Sequence, residues 1–120
     1  DLIGCAIGYD GVSIAAAESV CEFVRNFAAE RRHSFVVSRH AASSDSTSFA
    51  GVGIPAFNFY RYGEADIHNH HDILFPLFEK TLGPTVEFVR DFVAACDQTE
   101  IPFDTAMPED IAEEVRKYLG

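Results

Sequence analysis

The densest group of side chains able to do chemistry is Ile67-His68-Asn69-His70-His71-Asp72, where three of the chain's five histidines precede a carboxylate. Neutral imidazole is the commonest metal ligand, and carboxylate oxygen suits zinc as well. His68 and Asp72 stand four residues apart where a polar loop meets an apolar, helix-like run. Asp72 suits the N-cap of that helix, accepting hydrogen bonds from its first N–H groups. A carboxylate so placed also orients a ligating histidine through the other ring nitrogen. The same residues also fit an exposed loop that binds nothing, and composition leaves both readings open.

A second group is Ser44-Asp45-Ser46-Thr47-Ser48-Phe49, in a polar loop that also carries His40. Such residues ordinarily form turns and caps. The G-x-S-x-G pattern of an activated serine is absent, so a nucleophilic serine has no support. Neither G-x-G-x-x-G nor a P-loop lysine motif occurs, so nucleotide binding has none either. Asp1 is a third candidate, a lone acid before an apolar run. Cys5, Cys21 and Cys96 are scattered, odd in number and set among apolar neighbours. They read as buried reduced thiols, not as a disulfide frame or a zinc knuckle.

These groups need elements to hold them. Leu2 to Tyr9 reads as a buried strand ending at an Asp10-Gly11 turn. Ser13 is then an N-cap and Ile14 to Arg32 a helix, with Val20, Phe23, Val24 and Phe27 on one stripe. Ser34 to Ser38 reads as a second strand, Arg39 to Ser48 as a loop and Ile54 to Tyr60 as a third strand. Arg61 to His71 is a second polar loop. Asp72 opens a long helix to Cys96, its period carried by Leu74, Leu77, Phe78, Leu82, Val86, Val89 and Val93. Gly83-Pro84 should kink or divide it. Thr99 to Met107 is an extended link. Pro108 opens a last helix, with Ile111, Val115 and Leu119 on a narrow apolar face. Strands alternating with helices argue an α/β fold with a mainly parallel sheet, in the order β-α-β-β-α-α. Ligand sites in such sheets lie in loops beyond strand ends.

Composition sets the limits. The chain has 120 residues, 48% apolar, enough for one core. Nine cations against nineteen acids leave a net charge of −10. That argues against nucleic acid or an anionic membrane as a partner. Seven of the acids fall between Asp97 and Gly120 with two cations, which reads as a solvated helix face. No apolar run approaches the roughly 18–20 residues of a membrane span, and no signal-peptide pattern is visible, so the compartment stays open. Asp1 leads straight into an apolar run without a Met, which suggests a piece of a longer protein.

Taken together, Asp1-Leu2-Ile3-Gly4, then Ser44-Asp45-x-x-x-Phe49-x-x-x-Gly53-Ile54-Pro55-Ala56, then His68-x-x-x-Asp72 resembles the C-terminal half of the zinc aminopeptidase-like proteins. This is metallopeptidase family twenty-eight, which includes glutaminyl cyclases and glutamate carboxypeptidases. The resemblance spans about residues 1 to 96, and its middle motif is the most specific. It implies that residues 1–97 are part of a zinc-peptidase catalytic domain, whose fold is a mixed, mostly parallel sheet flanked by helices; residues 98–120 lie outside the motifs and read as an acidic extension with a helix. It implies that Asp1 binds one zinc of a pair and His68 the other, while His70 and His71 match variable positions. Asp45 matches a buried acid that helps shape the active site, and Asp72 supports the site from beside His68. Gly53-Ile54-Pro55-Ala56 leads into a core strand beside the substrate pocket.

Two positions depart from the family pattern. Ser46 stands where His or Tyr is common, and Ile73 where Thr or Asn is usual. The family's general-base glutamate and its remaining ligands belong upstream of the Asp1 motif. These 120 residues therefore match two zinc ligands and no general base, and the isolated chain is expected to be inactive and to bind zinc weakly. The reaction implied is exopeptidase hydrolysis of a peptide by metal-activated water. A glutaminyl cyclase is one alternative, suited by Asp1-Leu2-Ile3-Gly4 but not by Ile67, where cyclases tend to have Trp. A non-catalytic module of the same fold is the other. Exposed sheet or helix faces would suit a second copy of the chain as cover.

Overall fold

A computed structural model describes Ile3 and residues 7–62, 79–98 and 100–120. The strands are β1 (Tyr9–Ala15), β2 (Val36–Arg39) and β3 (Ala56–Tyr62). The helices are α1 (Glu18–Glu30), α2 (Ser46–Gly51), α3 (Glu79–Cys96) and α4 (Glu109–Leu119), giving the order β1-α1-β2-α2-β3-α3-α4. The sheet runs β2-β1-β3. β1 pairs with β2 in parallel, Gly11 to Val36 through Ile14 to Arg39. It pairs with β3 antiparallel, Tyr9 to Tyr62 through Ala15 to Ala56. The fold is α/β with a small mixed sheet. Among the described residues one pairing is parallel and one antiparallel, so the sheet is not mostly parallel.

Helices cover both faces of β1, so Gly11 through Ala15 are all buried. Val12 and Ile14 point to one face, where Val20, Cys21, Val24 and Phe27 of α1 meet Phe88 and Phe92 of α3. Phe57 and Phe59 of β3 pair with Ile14 and Val12 and join that core. On the other face, Ala15 and Ala56 pack with Ala41, with Ala50 of α2, and with Ile111 and Val115 of α4. The acidic tail thus folds back onto the domain through its predicted apolar face, except for Leu119, which is exposed.

The apolar stripe of α1 is where its spacing put it, but the first strand lies further along the chain than expected. Residues 7 and 8 are not in a strand, and Asp10-Gly11 is inside β1. Gly11 faces Tyr60 across the sheet, and a Cβ there would come within 2.5 Å of the tyrosine ring. The glycine therefore serves close approach between strands, not a turn. Ser13 is correspondingly a buried strand residue, not a cap. Helix α1 begins at Glu18 after Ala17, without a side-chain cap.

Two further expectations change in α3. Pro84 neither divides the helix nor ends it, since one helix runs from Glu79 to Cys96. Gly83 before it has no Cβ to meet the proline ring, which removes part of the usual clash. The buried stripe is also rotated. Thr85, Phe88 and Phe92 are buried, while Val86 and Val93 are about half exposed. Both sets have helical spacing, and the larger rings take the core. Residues 72–78 of the expected helix lie outside the described residues.

Helix α1 ends in a Schellman motif. Arg32 N–H donates to the Ala29 carbonyl at 3.1 Å, and His33 N–H to the Ala28 carbonyl at 2.9 Å. Arg32 occupies the left-handed position with φ 54°, where glycine is favoured. Arg32→Gly is expected to stabilise the domain by about 0.5–1 kcal/mol. A rise in the urea midpoint with an unchanged m-value would show it.

Candidate functional site

Three of the four residues singled out for the site, Asp1, His68 and Asp72, lie outside the described residues. The fourth, Asp45, stands at the head of α2 with helical dihedrals and makes no side-chain capping bond. Its side chain is exposed, not buried as the resemblance implied. The reason is local, because the loop satisfies itself from neighbouring groups. Thr47, 5% exposed, donates its hydroxyl proton to the Ala42 carbonyl. The Thr47 N–H donates to the Ser44 carbonyl, and the Ser44 and Ser46 hydroxyls meet at 2.6 Å. Asp45 is left facing outward.

The expected loop from Arg39 to Ser48 therefore ends early, at the six-residue helix α2. A tight turn follows, in which Gly53 N–H donates to the Ala50 carbonyl and Ile54 N–H to the Phe49 carbonyl. Gly53 has φ +82°, a conformation that disfavours any residue with a Cβ. That gives the glycine of the middle motif a physical reason. Pro55 then leads into β3, where Ala56 is buried. Below this turn lies an apolar cavity of about 590 Å³, bounded by Ile54, Phe57, Phe92, Cys96, Ile101 and Phe103. Cys96 is a free thiol whose pKa is pushed up by burial. Cys21 is free as well and, unlike the half-buried Cys96, fully buried, its thiol raised first by burial and then by Glu18. Both shifts disfavour the reactive thiolate.

His40, the other chemical group of this loop, is exposed, and its Nε2 lies 3.3 Å from the Ser13 hydroxyl. Among the described residues there is no group of three or more His, Cys, Asp or Glu able to hold a metal ion.

The most connected polar cluster was not anticipated from the sequence. Asp10 accepts a hydrogen bond from Arg61 Nη1 at 2.8 Å on one oxygen. Its other oxygen lies 3.1 Å from His33 Nε2 and 3.2 Å from the Thr85 hydroxyl. The side chains of Asp10, His33 and Arg61 are 12%, 15% and 14% exposed, so the ion pair is largely desolvated. His33 stacks on Phe35 with ring centroids 4.5 Å apart. The cluster ties together β1, β3, α3 and the turn after α1. Both carboxylate oxygens are engaged, which is the arrangement of a structural tie. Its available signal was an acid and an arginine within otherwise apolar strand sequences.

A second polar set joins α4 to the end of β2. Arg39 reaches Asp110 through two hydrogen bonds, at 2.7 and 2.9 Å. That bonding holds the Asp110 carboxyl below its ordinary pKa. The ion pair's contribution is therefore complete above the usual aspartate pKa and is lost as pH falls through the lowered value.

No protein-family model, no curated protein and no solved structure matches this chain. Among the described residues no helix is long and apolar enough to cross a membrane.

Proposed function

We propose that this chain is the C-terminal portion of a zinc-dependent exopeptidase of the aminopeptidase type. The observation that carries the reading is the order of three motifs in one sequence: Asp1-Leu2-Ile3-Gly4, the Ser44-Asp45 to Pro55-Ala56 run, and His68 to Asp72. The partial zinc-exopeptidase fold belongs to the same proposal. The α/β arrangement with a mixed sheet is compatible with it, and the positive φ of Gly53 supports the middle motif.

Zinc, when bound, acts as a Lewis acid and lowers the pKa of the attacking water. Asp1 offers a carboxylate oxygen and His68 an imidazole nitrogen, both of which suit that ion. In this reading they serve different ions of a pair. By its spacing Asp72 would orient His68 as a ligand by accepting the proton of the other ring nitrogen. A carboxylate must also take the proton of the attacking water, and none of the motif residues in these 120 fills that role.

The isolated chain is therefore expected to bind zinc weakly and to leave an amino-acyl anilide intact. Metal analysis after dialysis, with an anilide assay, checks this. Stoichiometric tight zinc or steady turnover by these 120 residues would overturn it. The wider reading is tested on the protein encoded with the sequence upstream of Asp1. A His-x-Asp followed by Glu-Glu there, with hydrolysis lost at least about a hundredfold in Asp1→Asn and His68→Ala, is the expected result. An upstream set for a single zinc with one Glu kept, and pyroglutamate formation in place of hydrolysis, would favour the cyclase. Loss of these residues altogether would leave a non-catalytic module.

A further inference from the structure

We infer that α4 is a positioning helix for the Ser44-Asp45 loop, which it holds through the carboxylate of Glu114, while Asp110 anchors the helix to Arg39 at the end of β2. These two acids stand four residues apart, one position before the buried pair Ile111 and Val115, so the stripes run side by side along the helix. Arg39 is fixed at the end of β2 by its Nε, which donates to the Ala16 carbonyl at 3.0 Å. Its remaining two contacts grip Asp110 as a fork. Two residues on, the Ala41 N–H donates to Glu114 Oε2 at 3.0 Å.

Ala41 is 2% exposed and packs against the apolar stripe of α4. A buried backbone donor needs an acceptor, and a helix outside the motifs supplies this one. From Ala41 the chain passes to Ala42, which accepts the Thr47 hydroxyl, and then into α2. The conformation of residues 41–47 is thus suspended between α4 on one side and α2 on the other. The remaining acids of the helix behave differently. Glu109 is exposed and pairs with Arg116 of its own helix, and Glu113 is exposed. The tail therefore combines a solvated face, to which the exposed Asp110 of the Arg39 pair also belongs, with one acid, Glu114, committed to the loop.

What the loop does in catalysis rests on the exopeptidase reading; that α4 holds it rests on these contacts. Hydrogen exchange of the 120-residue chain, followed by mass spectrometry, tests the inference without zinc or turnover. Its failure is therefore distinct from failure of the proposed function. Glu114→Ala orphans the Ala41 N–H and should speed exchange across residues 40–47 by about tenfold or more. Glu114→Gln, whose amide oxygen still accepts that proton, should stay within about threefold of the parent chain. Asp110→Asn should raise exchange in the same segment by less, leaving β1 and α3 unchanged. If Glu114→Ala leaves residues 40–47 unaltered, or if Gln and Ala have the same effect, Glu114 does not position the loop. A uniform rise that includes β1 and α3 in every variant would overturn the inference too, because the effect would then be global stability.

Discussion

Asp10→Ala is expected to remove about 3–5 kcal/mol of folding stability, a large part of the 5–15 kcal/mol typical of such a domain. The carboxylate is the common partner of Arg61, His33 and Thr85. Truncating it leaves a guanidinium 14% exposed without its counter-charge. Among the described residues the Arg61 Nε is already buried without an acceptor. Equilibrium unfolding in urea measures the loss. Asp10→Asn keeps an acceptor and should cost clearly less. Asp10→Ala combined with Arg61→Met should recover much of the stability, since no buried charge is then stranded. A cost below about 1 kcal/mol for Asp10→Ala would mean that water reaches the cluster freely, contrary to the burial of its three side chains.

The second large effect lies in the aromatic core. Phe92 is 4% exposed, and its ring centroid is 5.1 Å from that of Phe57 and 5.7 Å from those of Phe27 and Phe59. It therefore touches α1 and β3 at once from α3. Phe92→Ala should cost about 3–5 kcal/mol, the loss of transfer energy plus the cavity left behind. For a domain of this size the melting temperature should fall by on the order of 10–20 °C. Val93, the next residue, is 59% exposed, and Val93→Ala should change stability by less than about 0.5 kcal/mol. Thermal melts of the two variants side by side decide which stripe of α3 is the core. Equal losses would contradict the rotation of the helix described above.

Some of this could be seen in the sequence because it depends on near neighbours. The stripe Val20, Phe23, Val24, Phe27 has a single helical period, and α1 buries it as expected. Pro108 with Glu109 and Asp110 behind it is a local start signal, and α4 begins there. The glycine of the middle motif is explained by its own φ. Where two patterns shared the helical period, as in α3, spacing alone could not say which face turns inward. The short helix α2 was hidden because Ser, Thr and Asp favour caps and turns, and only tertiary packing of Thr47 and Ala50 makes the turn a helix.

By itself, then, the sequence determined the α/β class, the apolar face of α1, the start of α4 and the three motifs on which the functional proposal stands. Tertiary structure decided the span of β1, the antiparallel course of β3, the outward exposure of Asp45 and the Asp10 cluster. The physical reason is range. Asp10-Gly11 has the local preferences of a turn, yet Gly11 is drawn into a strand by Tyr60 across the sheet. Asp10 finds partners 23, 51 and 75 residues away. Such pairings are set by which surfaces meet when the apolar faces are buried, and local propensity yields to that larger free energy.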